Sequence, residues 1–185
     1  MVISDTDVIA QTRRWIETVI IGSNFCPFAA REMQRDSIHY RVVRDSAPES
    51  GLLAIAAECQ RLDRDEEIET TLVLLPDACA DFDDYLDFVA IAEQLLLEQG
   101  YEGVYQLASF HPEYLFEDTD AQDPANYTNR APYPMLHLLR ESSIERALLN
   151  YPQAEQIPLD NIVKARRLGL ESMKALLAAC REETK

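Results

Sequence analysis

TTLVLL, residues 70–75, is a short unbroken run of β-branched and apolar residues with no polar face. A run of this length, bounded by acids before it and Pro76-Asp77 after it, reads as a strand buried on both sides. Upstream, Pro48 to Leu62 places Leu52, Ile55, Ala56, Cys59 and Leu62 on one helical face. Before that, Ser37 to Arg44 (SIHYRVVR) alternates Ile38, Tyr40 and Val42 against His39, Arg41 and Val43, a strand pattern. Downstream, Asp81 to Gln99 is a helix lined by Phe82, Tyr85, Val89, Ala92 and Leu96 and closed by Gly100. Val104 to Phe110 is a third strand. Strands alternating with helices predict right-handed crossovers and a small, mainly parallel sheet of about three strands.

The flanks supply the cover. Residues 5 to 20 step Val8, Thr12, Trp15 and Val19 along one helical face, with Ile9, Ile16 and Ile20 beside it, Ser4 as N-cap and Gly22 at the end. Pro27 suits the first position of a short helix, with Cys26 just outside it. Pro134 to Leu149 reads as a helix, and Pro158–Gly169 and Leu170–Arg181 as a further helix bent near Gly169. The expectation is a single α/β domain over residues 1–185, its sheet covered by five or more helices.

Thirty-three acids against 17 Lys and Arg give a formal charge of −16. That field repels phosphate backbones and anionic lipid, so nucleic acid is not an expected partner. No apolar run reaches the length of a membrane span and no export signal is visible, so a cytoplasmic protein is expected. Cys26, Cys59, Cys79 and Cys180 have no paired spacing and read as reduced thiols. Lys164, Arg166 and Arg167 read as the outer face of a late helix.

Between the third strand and the helix expected at Pro134 lies a loop, residues 111–133, without periodicity. Loops this long inside a compact domain are either functional or disordered. This one is rich in Tyr, Phe, Pro and Asn, which favours order. It leaves the carboxyl end of a strand, where open α/β sheets gather their ligand sites. Candidate residues follow from chemistry. His111 is placed to act as acid or base. Asn129 and Arg130, just ahead of the Pro134 helix, would bind an anion. Tyr127 and Tyr133 would wall a pocket, and Glu113 and His137 would contact the substrate. Cys26, at a helix start, would be a nearby thiol with nucleophilic character. No metal is expected. The one grouping that would hold a metal, His111 and Glu113 with His137 and Glu141, lacks a recognised metal-site spacing. Neither GxSxG, GxGxxG nor a P-loop occurs.

Two segments resemble a bacterial family catalogued as a domain of unknown function, number 1415. One is Asn24-Phe25-Cys26-Pro27-Phe28-Ala29. The other is His111-Pro112-Glu113-Tyr114 with Asn126-Tyr127-Thr128-Asn129-Arg130-Ala131-Pro132-Tyr133-Pro134-Met135, His137 and Arg140-Glu141. The likeness spans the chain and brings no established reaction. Family members carry Ser where this chain has Ala131, which implies that a hydroxyl there is dispensable. Cys26-Pro27-Phe28-Ala29 with Arg31 is also locally similar to the active-site turn of omega-class glutathione transferases, but the residues before it read as a helix where that fold has a strand.

The functional expectation is an enzyme-like domain that binds a small anionic molecule at the carboxyl ends of the strands. The alternatives are a non-catalytic binding or assembly module and a thiol oxidoreductase.

Overall fold

The computed structural model describes residues 3–149, 151 and 153–182. Four strands, β1 (Ile38–Val42), β2 (Thr70–Leu74), β3 (Tyr105–Phe110) and β4 (Met135–Arg140), form one sheet in the order β1-β2-β4-β3. Among the described residues seven α-helices surround it: α1 (Asp5–Trp15), α2 (Ala29–Arg35), α3 (Pro48–Arg64), α4 (Phe82–Glu98), α5 (Glu141–Leu149), α6 (Ile157–Leu168) and α7 (Leu170–Ala179). The α/β class and the three expected strands are present. The mainly parallel three-stranded sheet is not. β1 and β2 are parallel, but β4 enters between β2 and β3 antiparallel to both.

β4 occupies the start of the helix expected over Pro134–Leu149. Met135, Leu136 and Leu138 are fully buried, because β4 is central and both of its faces are covered. The chain passes from Arg140 of β4 to Glu141 of α5 with no intervening loop. Two antiparallel steps restore direction, so β3 still runs the same way as β1 and β2. Their carboxyl ends therefore share one edge with the amino end of β4, as the three-stranded arrangement required.

Each face of the sheet has its own core. On the first, α3 and α4 pack Ile55, Cys59, Leu62, Tyr85 and Phe88 against Val73, Leu136 and Leu138. Gly51 of α3 allows this approach: a Cβ there would lie 2.8 Å from the Phe88 ring. On the second face Val8, Trp15, Val19, Ala165, Met173 and Cys180 pack against Leu72, Leu74 and Met135. The helix expected over residues 5–20 is α1 continued by a π-helical stretch, Ile16–Ile21, where Gly22 N–H reaches back to Glu17 O at 3.0 Å. The wider winding keeps Ile16, Val19 and Ile20 buried in line with Val8, Thr12 and Trp15. α6 and α7 are two helices parted at Gly169, whose φ of 83° needs no Cβ. Among the described residues no helix is long and apolar enough to cross a membrane.

Candidate functional site

The segment 111–133 folds back across the carboxyl edge and is held by its own side chains. Asn126, fully buried, is the centre of it. Its Oδ1 accepts from Phe116 N–H (3.0 Å) and Thr119 Oγ1 (2.9 Å), and its Nδ2 donates to Asp120 O (2.9 Å). Asp123 accepts from Ala125 N–H at the start of a 3-10 turn, Pro124–Thr128, and forms a two-pronged pair with Arg166 of α6, closest at 2.6 Å. The Arg166 guanidinium holds the Asp123 carboxyl below its usual range. Lys164 donates to Asn24 O at 2.7 Å. Two of the three basic residues read as an outer face thus tie loops to α6.

Arg130 is spent on the same scaffold. Its Nε donates to Tyr114 O (3.0 Å) and its Nη2 to Ala121 O (3.1 Å), and its guanidinium lies 4.7 Å from the centre of the buried Tyr127 ring. Its carbonyl accepts from Trp15 Nε1 at 3.0 Å. Asn129 donates to Ser109 O (3.1 Å) and accepts from Thr128 Oγ1 (3.1 Å). Because Pro134 leads into a strand, no helix start lies beside this pair to supply free amides. Arg130→Ala would free two loop carbonyls from a charged donor and remove a ring contact. We expect a loss of about 2 kcal/mol in urea unfolding. A loss below half a unit would mean that the guanidinium is not holding the loop.

His111 is wholly buried. Its Nε2 lies 2.9 Å from Cys79 O and its Nδ1 accepts from Glu113 N–H at 3.0 Å. A carbonyl only accepts, so Nε2 carries the proton and the ring is neutral. Burial holds its pKa below the ordinary value. The ring packs 4.9 Å from Tyr85 and 5.2 Å from Phe82, on the first face of the sheet. Both nitrogens are thus committed to backbone groups that fix the turns after β2 and β3.

Cys26 lies elsewhere. It is half-buried and packs against the second-face core, in a turn that α6 holds through Asn161 Nδ2 to Phe25 O (2.6 Å). α2 begins only at Ala29, after that turn, so Cys26 does not sit at a helix N-terminus. His137 is on β4, paired with Leu72 and Ala108 and half-buried. Its Nε2 meets Thr70 Oγ1 at 2.7 Å, and because that hydroxyl donates to Leu138 O (2.5 Å), the imidazole is the donor. Burial pushes its pKa down to about 4. Glu141 lies beyond β4 beside Val104, whereas His111 follows the end of β3 that pairs with Met135. A strand length separates them, roughly 20 Å at 3.3 Å per residue, so His111, Glu113, His137 and Glu141 do not converge. No group of three or more His, Cys, Asp or Glu placed to hold a metal occurs among the described residues.

What the edge does form is a cleft of about 460 Å³. Gln11 and Arg181 line it from the second-face layer, and Ala78, Ala80 and Glu113 from the turns on the first. Pro132, Tyr133 and Pro134 lie between them. Tyr133 donates to Gln11 Oε1 at 2.6 Å, Gln11 Nε2 donates to Arg181 O at 3.3 Å, and Arg181 Nη2 donates to Pro132 O. The Arg181 guanidinium lies 5.7 Å from the centre of the Tyr133 ring. Of the expected site residues, Tyr133 and Glu113 line this cleft, His111 and Arg130 brace the segment that forms its wall, and Cys26 and His137 are not in it. Sequence reasoning missed Gln11 and Arg181. They come from opposite ends of the chain, and each reads alone as a polar helix residue.

A family model described as "Protein of unknown function (DUF1415)" matches residues 7–175. No curated protein and no solved structure matches.

Proposed function

The chain belongs to DUF1415, a family of proteins of unknown function, and we propose that it holds a small molecule bearing a single carboxylate in the cleft at the carboxyl edge of the sheet. The observation that carries this is the cleft's inventory of donors. Pro76, Pro112, Pro132 and Pro134 line it, and none of them has a backbone N–H to offer. A phosphate asks for several converging N–H groups. Of the other lining residues, Ala78, Glu113 and Arg181 give their N–H groups to Leu75 O, His111 Nδ1 and Ala178 O, so the weight falls on side chains, and Arg181 is the cation among them, fixed by Pro132 and Tyr133. A planar guanidinium suits one carboxylate. The volume suits a small molecule, and the proline walls make the site pre-formed, which lowers the ordering cost of binding.

We assign the expected residues accordingly. Tyr133 supplies a ring wall and a hydroxyl, and Glu113 sets the charge at the rim. His111, Asn129 and Arg130 hold the wall in place, and no proton transfer is placed on His111, whose nitrogens are both engaged. Cys26 has no part in binding. Thermal-shift measurements across short carboxylates and inorganic phosphate test this. Carboxylates should raise the midpoint of the wild-type protein and phosphate should not, and Arg181→Gln should abolish the response. A phosphate response, or an equal carboxylate response in Arg181→Gln, would overturn it.

A further inference from the structure

The cleft at the carboxyl edge takes its charge from two adjoining walls. His111 N–H donates to Asn129 O (3.2 Å) and Ala131 N–H to His111 O (3.4 Å), so the turn after β3 lies beside the segment that leads into β4. Glu113 stands on that turn, and Pro132, whose carbonyl holds Arg181, stands on the segment. Among the described residues that line the cleft, Arg181 and Glu113 are the charged ones, one of each sign. Glu113 is exposed. Its N–H is engaged by His111 Nδ1 at 3.0 Å, but its carboxylate has no hydrogen bond or ion pair among the described residues.

Around this pair the balance is negative. The charges that act on the Tyr133 hydroxyl are Arg181 and Arg44 of one sign and Asp7 and Asp77 of the other. Arg44 is already matched, by Asp5 at 2.6 Å and Asp77 at 3.1 Å, and Asp7 takes the Ser4 hydroxyl at 2.6 Å. The chain as a whole carries a formal charge of −16. A ligand that is only a carboxylate gains Arg181 and meets this repulsion unrelieved. A ligand that also carries an ammonium keeps the gain, cancels its own net charge and supplies the partner that Glu113 lacks. We propose that the cleft takes an amino acid, with its carboxylate on Arg181, its ammonium on Glu113 and its carbon chain against Pro112, Pro132 and Pro134. This rests on the carboxylate site proposed above and adds the second charge. Asp77 and Asp7 are poorer seats for the ammonium, since Arg44 and Ser4 already occupy them.

Butyrate, α-aminobutyrate, γ-aminobutyrate and butylamine share one carbon skeleton and differ in the charges they carry and how far apart these lie. Dissociation constants for the full chain are measured by NMR titration at low salt. One of the two aminobutyrates should bind at least about threefold more tightly than butyrate, and butylamine should bind more weakly than either. The preferred isomer reports the spacing of the two charges. In Glu113→Gln butyrate should bind more tightly than in wild type, because a like charge is gone, and the amino group should no longer add affinity. In Arg181→Gln neither butyrate nor the aminobutyrates should bind. Butyrate binding with no gain from either amino group, or a gain that persists in Glu113→Gln, would overturn the amino acid and leave the carboxylate site standing. Butylamine saturating as tightly as the aminobutyrates would overturn it too. No binding of butyrate or of either aminobutyrate would remove the site itself.

Discussion

Replacing His111 by Ala should cost about 4 kcal/mol of folding stability, the largest loss expected from any single side chain of the 111–133 segment. The residue is fully buried between Tyr85 and Phe82, so truncation leaves an unfilled space on the first face of the sheet. It also strands Cys79 O and Glu113 N–H, which the ring pairs at 2.9 and 3.0 Å. Those two bonds connect the turn after β2 to the turn after β3, the two turns that carry Ala78, Ala80 and Glu113 into the cleft. Tyr85 reinforces the same corner, its hydroxyl donating to Met135 O and accepting from Phe110 N–H. Urea unfolding at neutral pH measures the loss directly. A base held ready for chemistry behaves in the opposite way, because functional groups sit at a cost to stability and their removal is neutral or stabilising. A change within half a kcal/mol would therefore contradict the bracing role and restore His111 as a candidate acid or base.

Acid should unfold the protein earlier than its carboxylates alone would, and His137 is the chief cause. Its folded-state pKa is about 4, against an ordinary value of 6.5. The unfolded chain thus binds the proton first as pH falls. The stability contributed by the neutral ring is complete above pH 6.5 and is lost as pH falls through about 4. At about 1.4 kcal/mol per pH unit this amounts to at most about 3.5 kcal/mol, less whatever solvent screening of the half-buried ring removes. His111 and His39, also held below their ordinary value by burial, act with the same sign. Asp45 and Asp123, whose pKa values are lowered from 3.8, lose their contribution only in a more acidic window. His137→Gln keeps a donor for Thr70 and removes the titration. Urea unfolding at pH 7, 5.5 and 4.5 should show a shallower decline for the variant than for wild type. Parallel declines would mean that the ring is not held neutral.

β1, β2 and β3 were legible because each is a short run with either strict alternation or unbroken apolar character. α3 and α4 were legible because Ile55, Cys59 and Leu62, and Tyr85, Ala92 and Leu96, repeat at helical spacing over about two and about three turns. β4 was not. Met135-Leu136-His137-Leu138-Leu139 is apolar on both faces because neighbours cover both, and such a run has no period to read. It then enters α5 without a break, so helical spacing beyond Glu141 extends backwards over the strand, and Pro134 passes for a helix start. The shared carboxyl edge followed from topology and survived the extra strand, because two antiparallel steps leave β3 pointing with β1 and β2. The residues that line the cleft at that edge did not all follow. Arg130 and His111 look free in sequence, and only the folded chain reveals which carbonyls take their protons. Gln11 and Arg181 become neighbours only through the packing of α1 and α7 on the second face, a contact across 170 residues that no local pattern encodes.

The most direct measurement is a heteronuclear NMR titration of the wild-type protein with butyrate, a carboxylate without other charge. Saturable shifts should appear at Gln11, Ala78, Tyr133 and the Arg181 side chain, and should disappear in Arg181→Gln while the spectrum of the fold is retained. No saturable shift, or shifts centred on the Cys26 turn or on β1 with the cleft silent, would contradict a carboxylate site at the carboxyl edge.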